Sequence, residues 1–301
     1  FLKKKNITVL SVSFNSSIHL KRLIKNFLFK TAQLDNLKFL IVDNTNGDDK
    51  DLYTAFNKSY DIRIIKNNNR FKQRSLSHAN ALDFGMEHIK TKFTLIVDPD
   101  IHVFYKNWDE FCIKKMELDP QTVIGAPYPQ WKLGKVHNYP SVVFMFFQTN
   151  LVQSFGRTFH PFPKLYRRIY NSILRKFVRL GGFANKNRLG KSKDLQLICK
   201  WLEALTGITS PDTGKEIVSQ FHYNGFKSIV FDSPYEQSFG DESSGALKLL
   251  AKDFEVFTFK DKPFISHMYS SGVYHWHTQK SSDLDYWISL IKRIEDRTGR
   301  I

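Results

Sequence analysis

The feature that most constrains the fold is an alternation of short apolar runs with segments of helical spacing over the first hundred residues. Runs rich in β-branched and other apolar residues occur at 7–14, 38–42, 62–65 and 93–97. Segments with apolar residues every three or four positions follow the first run and span 75–89. Strands that alternate with helices predict an α/β fold, in which a mostly parallel sheet is flanked by helices.

The second half of the chain is less regular. Its apolar runs predict strands at 122–126, 141–147 and 228–231, and its spacing predicts helices at 201–205 and 214–221. A chain of 301 residues is long enough to bury a substantial core. The chain begins at Phe1 rather than at Met, so we expect it to belong to a longer polypeptide.

Charge and cysteine content indicate which partners and which cellular compartment to expect. The formal net charge of +16 favours an anionic partner. Composition alone does not choose among a phosphorylated ligand, a nucleic acid and a membrane surface. Cys112 and Cys199 are far apart in apolar surroundings, which predicts reduced core thiols and a cytoplasmic location. No stretch reaches the roughly 20 apolar residues that span a bilayer.

Acidic residues directly follow two of the predicted strands. Asp43 follows 38–42, and Asp98-Pro99-Asp100 follows 93–97. In an open parallel sheet, ligands bind beyond the carboxyl ends of the strands. Paired carboxylates there suit a divalent cation that also neutralises a diphosphate, whereas a solvated turn is the alternative interpretation.

Three strand ends, Ser13-Phe14-Asn15, Val42-Asp43-Asn44 and Val97-Asp98-Pro99-Asp100, together resemble those of the family 2 glycosyltransferases, which have the GT-A fold. The resemblance implies a nucleotide-diphosphate sugar as donor and Mg²⁺ or Mn²⁺ as cofactor. It implies that Asp43 receives the nucleobase, Asp98 the ribose, and Asp100 the metal and diphosphate. Further donor-binding residues implied by it are Phe14, Asn15, Asn44, His78 and Asn80. His78 is otherwise a surface histidine of a helix.

The resemblance continues into the second half. Asp212-Thr213-Gly214 resembles the motif of one family branch at the start of an acceptor-side helix, although the common Glu-Asp form of the base is absent. Asp212 is therefore the candidate general base, with a helix N-cap as the alternative. The acidic pair at 241–242 is a second candidate base or a capping box. His267 is the favoured histidine ligand of the metal, and His277 is the second choice.

We interpret the chain as one GT-A domain, with a nucleotide-sugar half at 1–105, an acceptor half at 106–280 that contains a basic insertion at 160–195, and a C-terminal helix at 281–301. The implied activity is inverting, metal-dependent transfer of a sugar to a glycan or lipid-linked acceptor. A sugar-phosphate nucleotidyltransferase would require a Gly-rich loop after the first strand, and residues 13–17 contain no glycine. A non-catalytic module that binds glycan or nucleic acid is the second alternative.

The segment 162–193 is strongly basic and carries interleaved Leu, Ile, Tyr and Phe residues. Signatures of RNA- or DNA-binding modules are absent from the sequence, so nucleic acid is not favoured. A basic amphipathic helix of this composition suits an anionic membrane surface. We therefore expect peripheral contact with the inner face of a membrane.

Overall fold

A computed structural model describes residues 6–54, 56, 61–68, 70–161, 165–208, 212–240, 245–268 and 283–298. The chain divides into two compact units. Unit 1 comprises Phe1–Ala126, Asn138–Pro163 and Pro211–Val230, and unit 2 comprises Pro127–His137, Lys164–Ser210 and Phe231–Ile301. Sequence positions 275–277, 241–242 and 209–211, which include His277, lie outside the described residues.

The strands are, in chain order, β1 (Ile7–Ser13), β2 (Leu37–Asp43), β3 (Ile62–Lys66), β4 (Phe93–Val97), β5 (Ile101–Val103), β6 (Thr122–Pro127), β7 (Pro140–Gln148), β8 (Lys227–Val230), β9 (Glu255–Phe259) and β10 (Lys262–His267). The helices are α1 (Ser17–Lys30), α2 (Lys50–Thr54), α3 (Arg74–Glu87), α4 (Trp108–Leu118), α5 (Thr149–Gln153), α6 (Leu165–Val178), α7 (Lys186–Lys191), α8 (Lys193–Thr206), α9 (Lys215–Tyr223), α10 (Gly245–Asp253) and α11 (Leu284–Thr298). Short 3₁₀ turns occur at Leu34–Asn36, Leu180–Gly182 and Glu236–Ser238.

Unit 1 is built on a seven-stranded sheet of order β3-β2-β1-β4-β7-β6-β8. Strands β3, β2, β1 and β4 are parallel neighbours, β6 and β8 are also parallel, and β7 runs antiparallel to β4. All residues of β1 are buried, as expected for a central strand covered on both faces. The prediction of an α/β fold with a mostly parallel sheet flanked by helices is confirmed.

A close approach between β6 and β7 depends on one glycine. Gly125 has a φ of +155°, and a Cβ atom built on it would lie 1.9 Å from the carbonyl oxygen of Phe144. Real Cβ atoms do not come this near to a backbone oxygen, so only glycine fits the observed spacing of the two strands.

Unit 2 combines a β-hairpin with two groups of helices. Strands β9 and β10 pair antiparallel, and Trp287 of α11 donates from Nε1 to Oγ of Ser266, 2.9 Å away. A second apolar cluster joins α6, α7 and α8 to the segment that follows β6. Its buried members are Trp131, Leu133, Val178, Ala184, Leu189, Cys199, Leu202 and Ile208.

Most strand ends of the sequence analysis agree with the structure to within one residue. The helix expected at 201–205 is the C-terminal part of the longer α8, which begins at Lys193. The β9–β10 hairpin was not predicted. Cys112 and Cys199 are both free and buried, as expected. Among the described residues, no helix is both long and apolar enough to cross a membrane.

Candidate functional site

The polar residues singled out after β1, β2 and β4 leave the sheet of unit 1 at its carboxyl edge. Ser13 of β1 is the register partner of Asp43, the last residue of β2. Strand β4 runs parallel to β1 and ends at Val97, one residue before Asp98. The topology therefore brings these strand ends to the same edge, where ligands of open α/β sheets bind.

Asp43 is fully buried and its carboxylate is held by internal donors. Its Oδ1 accepts from the backbone N of Thr45 at 2.9 Å and from Thr45 Oγ1 at 2.5 Å, and its Oδ2 accepts from the hydroxyl of Tyr53 at 2.6 Å. Burial of the hydroxyl and the Asp43 carboxylate raise the pKa of Tyr53 to about 12, so Tyr53 stays a donor at neutral pH.

Asn44 and Asn80 belong to a chain of amide side chains behind the sheet edge. Asn44 donates from Nδ2 to Oγ of Ser77 at 2.8 Å, while its Oδ1 accepts from Nδ2 of Asn67 at 2.9 Å. The same Nδ2 of Asn67 lies 3.1 Å from Oδ1 of Asn80. These bonds tie the end of β2 and the residue after β3 to α3, which carries Ser77 and Asn80. Buried amides that are paired in this way fix the helix against the strand ends.

A cavity of about 610 Å³ opens at this edge within unit 1. Its walls include backbone or side chains from β1, from the turns after β1, β2 and β4, and from the start of α3. The lining residues are Val12, Phe14, Ser16, Asn44, Phe71, Lys72, Arg74, Ser77, His78, Asp98 and Pro99. The structure thus brings Phe14, Asn44, His78 and Asp98 together in one cavity, whereas Asn15, Asp43, Asn80 and Asp100 are not among its lining residues.

The cavity combines apolar aromatic surface with charge of both signs. Phe14 is 63% exposed and Phe71 is 38% exposed, so both rings can cover a ligand. Lys72 and Arg74 stand at the start of α3, where the first N–H groups of a helix also attract anions. Sequence analysis did not single out Lys72, Arg74 or Phe71. The available signal was two basic residues directly before a helix, which is common on solvated surfaces.

Asp98 and Asp100 are half-buried. The Nε2 atom of His78 lies 3.8 Å from Oδ1 of Asp98, so α3 presents this histidine to the first aspartate of the pair. His19, in the first turn of α1, was not singled out either. Burial lowers the pKa of His19, and Asp100 opposes this shift while Arg22 adds to it. His19 is therefore a neutral imidazole in the electrostatic field of Asp100.

Asp212 lies three residues before Lys215, the first residue of α9, in unit 1. The residue that precedes the helix is Gly214, which has a φ of +86°, so Asp212 stands two positions outside the N-cap that was its alternative interpretation. Gly214 donates from N to the carbonyl oxygen of Phe159 at 2.7 Å, and Thr213 donates from Oγ1 to the carbonyl oxygen of Ser75 at 3.1 Å. The Asp-Thr-Gly turn is thereby fixed to the first turn of α3.

His267 is a buried residue at the end of β10 in unit 2. Its Nδ1 lies 2.9 Å from Oε2 of Glu255, and Nζ of Lys132 lies 2.5 Å from Oε1 of the same carboxylate. Burial alone would raise the pKa of Glu255, but Lys132 and His267 lower it to about 2. An ionised Glu255 accepts from Nδ1–H, so a neutral His267 carries its lone pair on Nε2, the atom that ligates metals in comparable pairs.

No protein-family model matches this chain, and no curated protein is significantly similar to it. Solved structures similar to it include the mannosyltransferase PcManGT from Pyrobaculum calidifontis in complex with GDP-Man and Mn²⁺, with a TM-score of 0.41 and 13% identity over 51% of this chain and 47% of that chain. They also include S. aureus TarS 1–349, with a TM-score of 0.40 and 12% identity over 51% and 50%, and its complex with UDP-GlcNAc, with 0.39 and 10% over 51% and 48%.

The match therefore spans about half of this chain and about half of each similar structure. TM-scores of 0.41 and below do not identify a common fold. The α/β class of this chain follows from its own strand order and strand directions.

Proposed function

We propose that this chain is a glycosyltransferase of the GT-A type, related to family 2, that takes a sugar from a nucleotide-diphosphate sugar. The observation that carries the proposal is the composition of the unit 1 cavity. Aromatic surface, two cations and the first aspartate of an Asp-x-Asp motif line one cavity at the carboxyl edge of the sheet. A nucleobase, a diphosphate and a chelated cation require these three kinds of group.

The cavity residues divide between the parts of such a donor. Phe14 and Phe71 offer ring faces to a flat nucleobase. Lys72 and Arg74 offer cationic donors to the diphosphate next to the first turn of α3. Asn44 and Asp98 have oxygen atoms suited to the hydroxyl groups of a ribose. Asp43, whose carboxylate accepts from Thr45 and Tyr53, is buried and does not line the cavity, so its contact with a nucleobase would require a local rearrangement.

The donor set at the motif fits Mg²⁺ or Mn²⁺. Asp98 and Asp100 are half-buried carboxylates two residues apart, and hard oxygen ligands are those that these cations prefer. We propose His267 as a further ligand, with Glu255 fixing its tautomer. A bound cation supplies positive charge that neutralises the departing diphosphate.

In the proposed transfer, the acceptor hydroxyl oxygen forms a bond to the anomeric carbon while the bond from that carbon to the diphosphate oxygen breaks. The hydroxyl proton passes to Asp212, and the nucleoside diphosphate leaves with the electron pair. Attack from the face opposite the leaving group inverts the anomeric centre. Thr213 and Gly214, anchored to α3 and to Phe159, hold Asp212 in place for this role.

Nucleoside diphosphate release from a panel of sugar nucleotides, measured with and without Mn²⁺, tests the proposal. GDP-Man and UDP-GlcNAc belong in the panel because similar structures contain them. We expect one donor to raise the melting temperature and to release its nucleoside diphosphate only with metal. Release of pyrophosphate from a nucleoside triphosphate and a sugar phosphate would instead identify a nucleotidyltransferase. Donor binding without turnover, across a panel of glycan and lipid-linked acceptors, would identify a binding module.

A further inference from the structure

Helices α6 and α8 of unit 2 have apolar residues on their outer faces as well as in their core. Their inner faces pack on the cluster around Trp131, to which Val178, Cys199 and Leu202 contribute. The core is therefore supplied by side chains that are distinct from the exposed ones described next.

The outer face of α6 is largely apolar. Since successive helix residues rotate by about 100°, the six large apolar residues on this face span about 140° of its circumference. Their exposed fractions lie between 54% and 70%, and they are Leu165, Tyr166, Ile169, Tyr170, Ile173 and Phe177. Packing within the protein does not explain this stripe, and each apolar group exposed to water costs free energy.

Helix α8 packs against α6 and repeats the pattern. Its exposed apolar residues follow one another at spacings of one, three and four positions, and they are Leu197, Ile198, Trp201 and Leu205. The turn between α6 and α7 adds Leu180 and Phe183, which are 40% and 54% exposed. We refer to these exposed residues of α6, the turn and α8 as the α6–α8 patch. It contains more than half of the large apolar residues that are exposed in the described part of the chain.

The surroundings of the patch are basic. No Asp or Glu occurs in the sequence between Asp119 and Asp194. Lys193 and Lys200 are exposed and stand four and three positions from Leu197, so they neighbour it on the surface of α8. Asp194 is exposed three positions before Leu197 and offsets one of these two charges. Lys176 is exposed three positions after Ile173 on α6. An occupant that accepts apolar side chains and carries negative charge therefore fits the patch best.

We propose that the α6–α8 patch lies on the surface of an anionic lipid bilayer, with its apolar side chains in the boundary between headgroups and acyl chains. Aliphatic side chains such as Ile169, Ile173 and Leu205 have no partner on a nucleic acid, whereas acyl chains accept them. A symmetric contact with a second copy would bring the same lysines from both copies together. Anionic headgroups instead attract each nearby lysine by about 1 kcal/mol.

The first test is flotation of the whole protein with phosphatidylcholine vesicles, prepared with and without about 30% phosphatidylglycerol as the anionic lipid. We expect the protein to float with the anionic vesicles and at least about tenfold less with the neutral ones. Ile173→Ser and Trp201→Ser should each lower the partition coefficient by about tenfold. The matched controls are Phe29→Ser and Leu118→Ser, which replace residues 78% and 82% exposed in unit 1 and should float like the wild type.

Trp201 provides a second readout. Trp201 is 63% exposed, whereas Trp108, Trp131 and Trp287 are buried. Trp276 lies outside the described residues, so the emission is measured in a Trp276→Phe background, in which the change on binding should come from Trp201. Anionic vesicles should shift the emission to shorter wavelength, brominated lipids should quench it, and Trp201→Phe should lose the shift while it still floats. Because no sugar nucleotide is needed, both readouts are independent of the proposed transferase activity.

Three results would overturn the inference. One is a wild type that stays at the bottom of the gradient with anionic vesicles. Another is equal flotation of the patch variants and the wild type, which would show that other surfaces bind the lipid. The third is self-association, or binding of an oligonucleotide, that Ile173→Ser abolishes in the absence of lipid. Circular dichroism of each variant verifies that it is folded.

Discussion

The carboxylates of the unit 1 sheet edge differ from the carboxylate of the unit 2 hairpin in how they are surrounded. Asp98 and Asp100 are half-buried, and Asp98 lines a cavity. Glu255 is buried and lies between Lys132 and His267. A carboxylate whose oxygens are bound by a buried lysine and a buried histidine contributes mainly to structure, whereas one at a cavity can exchange its partners for a ligand. Burial therefore separates carboxylates with a proposed ligand from those that support the fold.

Asp43 is an intermediate case. It is as buried as Glu255, but its donors are a backbone N–H and two hydroxyl groups instead of cations. Two of these donors belong to Thr45, so most of the network is local in sequence. Its loss should cost less than the loss of the ion pair around Glu255, because no unpaired charge of opposite sign remains.

Asp100→Ala should give the largest effect, which we expect on activity rather than on stability. We expect kcat/KM for metal-dependent transfer to fall by about 10⁴-fold, which corresponds to about 5 kcal/mol, because in the proposed site this carboxylate would hold the cation that offsets the charge of the diphosphate. Urea unfolding should change by less than about 1 kcal/mol. Asp35→Ala, an exposed aspartate of the 3₁₀ turn before β2, is the control and should leave both unchanged. Full activity of Asp100→Ala would reject the metal site.

Lys132→Met should have the opposite profile, with its main effect on stability. Glu255 would remain buried without its cation, and breaking such a pair typically costs about 3–5 kcal/mol in the free energy of unfolding. Lys135→Met is the matched control, since Nζ of Lys135 lies 4.8 Å from the centre of the Tyr128 ring, near the 5.8 Å of Lys132. A Lys132→Met protein as stable as the Lys135→Met protein would show that the ion pair adds nothing.

Acid should reveal the same ion pair. The folded-state pKa of Glu255 is about 2, below the usual 4.5, so its contribution is complete above about pH 4.5 and is lost as the pH falls towards 2. One carboxyl group adds at most about 1.4 kcal/mol per pH unit to the slope. In urea titrations between pH 5 and pH 2, a range that includes both pKa values, Glu255→Gln should lack the part of the pH dependence of the unfolding free energy that Glu255 contributes. Identical slopes would contradict the depressed pKa.

Tyr53→Phe should give the smallest effect. It removes one donor from Asp43, and because the Tyr53 side chain is 46% exposed, water can replace part of the lost bond. We expect a loss of about 1 kcal/mol in the free energy of unfolding. Tyr223→Phe, at a tyrosine 84% exposed, is the control and should be neutral. A loss as large as that of Lys132→Met would remove the distinction between the two networks.

The sequence predicted the sheet well because its central strands are buried on both faces and therefore consist mostly of apolar residues, interrupted only by small Ser and Thr side chains, as in β1 and β4. It also predicted which polar residues follow those strands. It did not predict the pairing of Lys132 with Glu255, since residues more than a hundred positions apart leave no periodic signal. Nor could it select Lys72 and Arg74, because basic residues before a helix usually face solvent.

The roles of individual site residues were harder to predict from the sequence than their location. The sequence placed Asp43 at the sheet edge but could not show that Thr45 and Tyr53 enclose its carboxylate. Apolar periodicity likewise predicted a helix around Trp201 without showing that Trp201 and Leu205 lie on its outer face. Both properties depend on which other segments pack nearby, and local spacing does not contain that information.

The contact of Gly125 with the Phe144 carbonyl has a consequence for how this protein tolerates variation. Any side chain at position 125 would push β6 away from β7. Strand β8 pairs with β6 and would be displaced together with β6. Even alanine, the mildest replacement elsewhere, would therefore disrupt one border of the sheet. Among homologous chains that keep this strand spacing, position 125 should always be glycine.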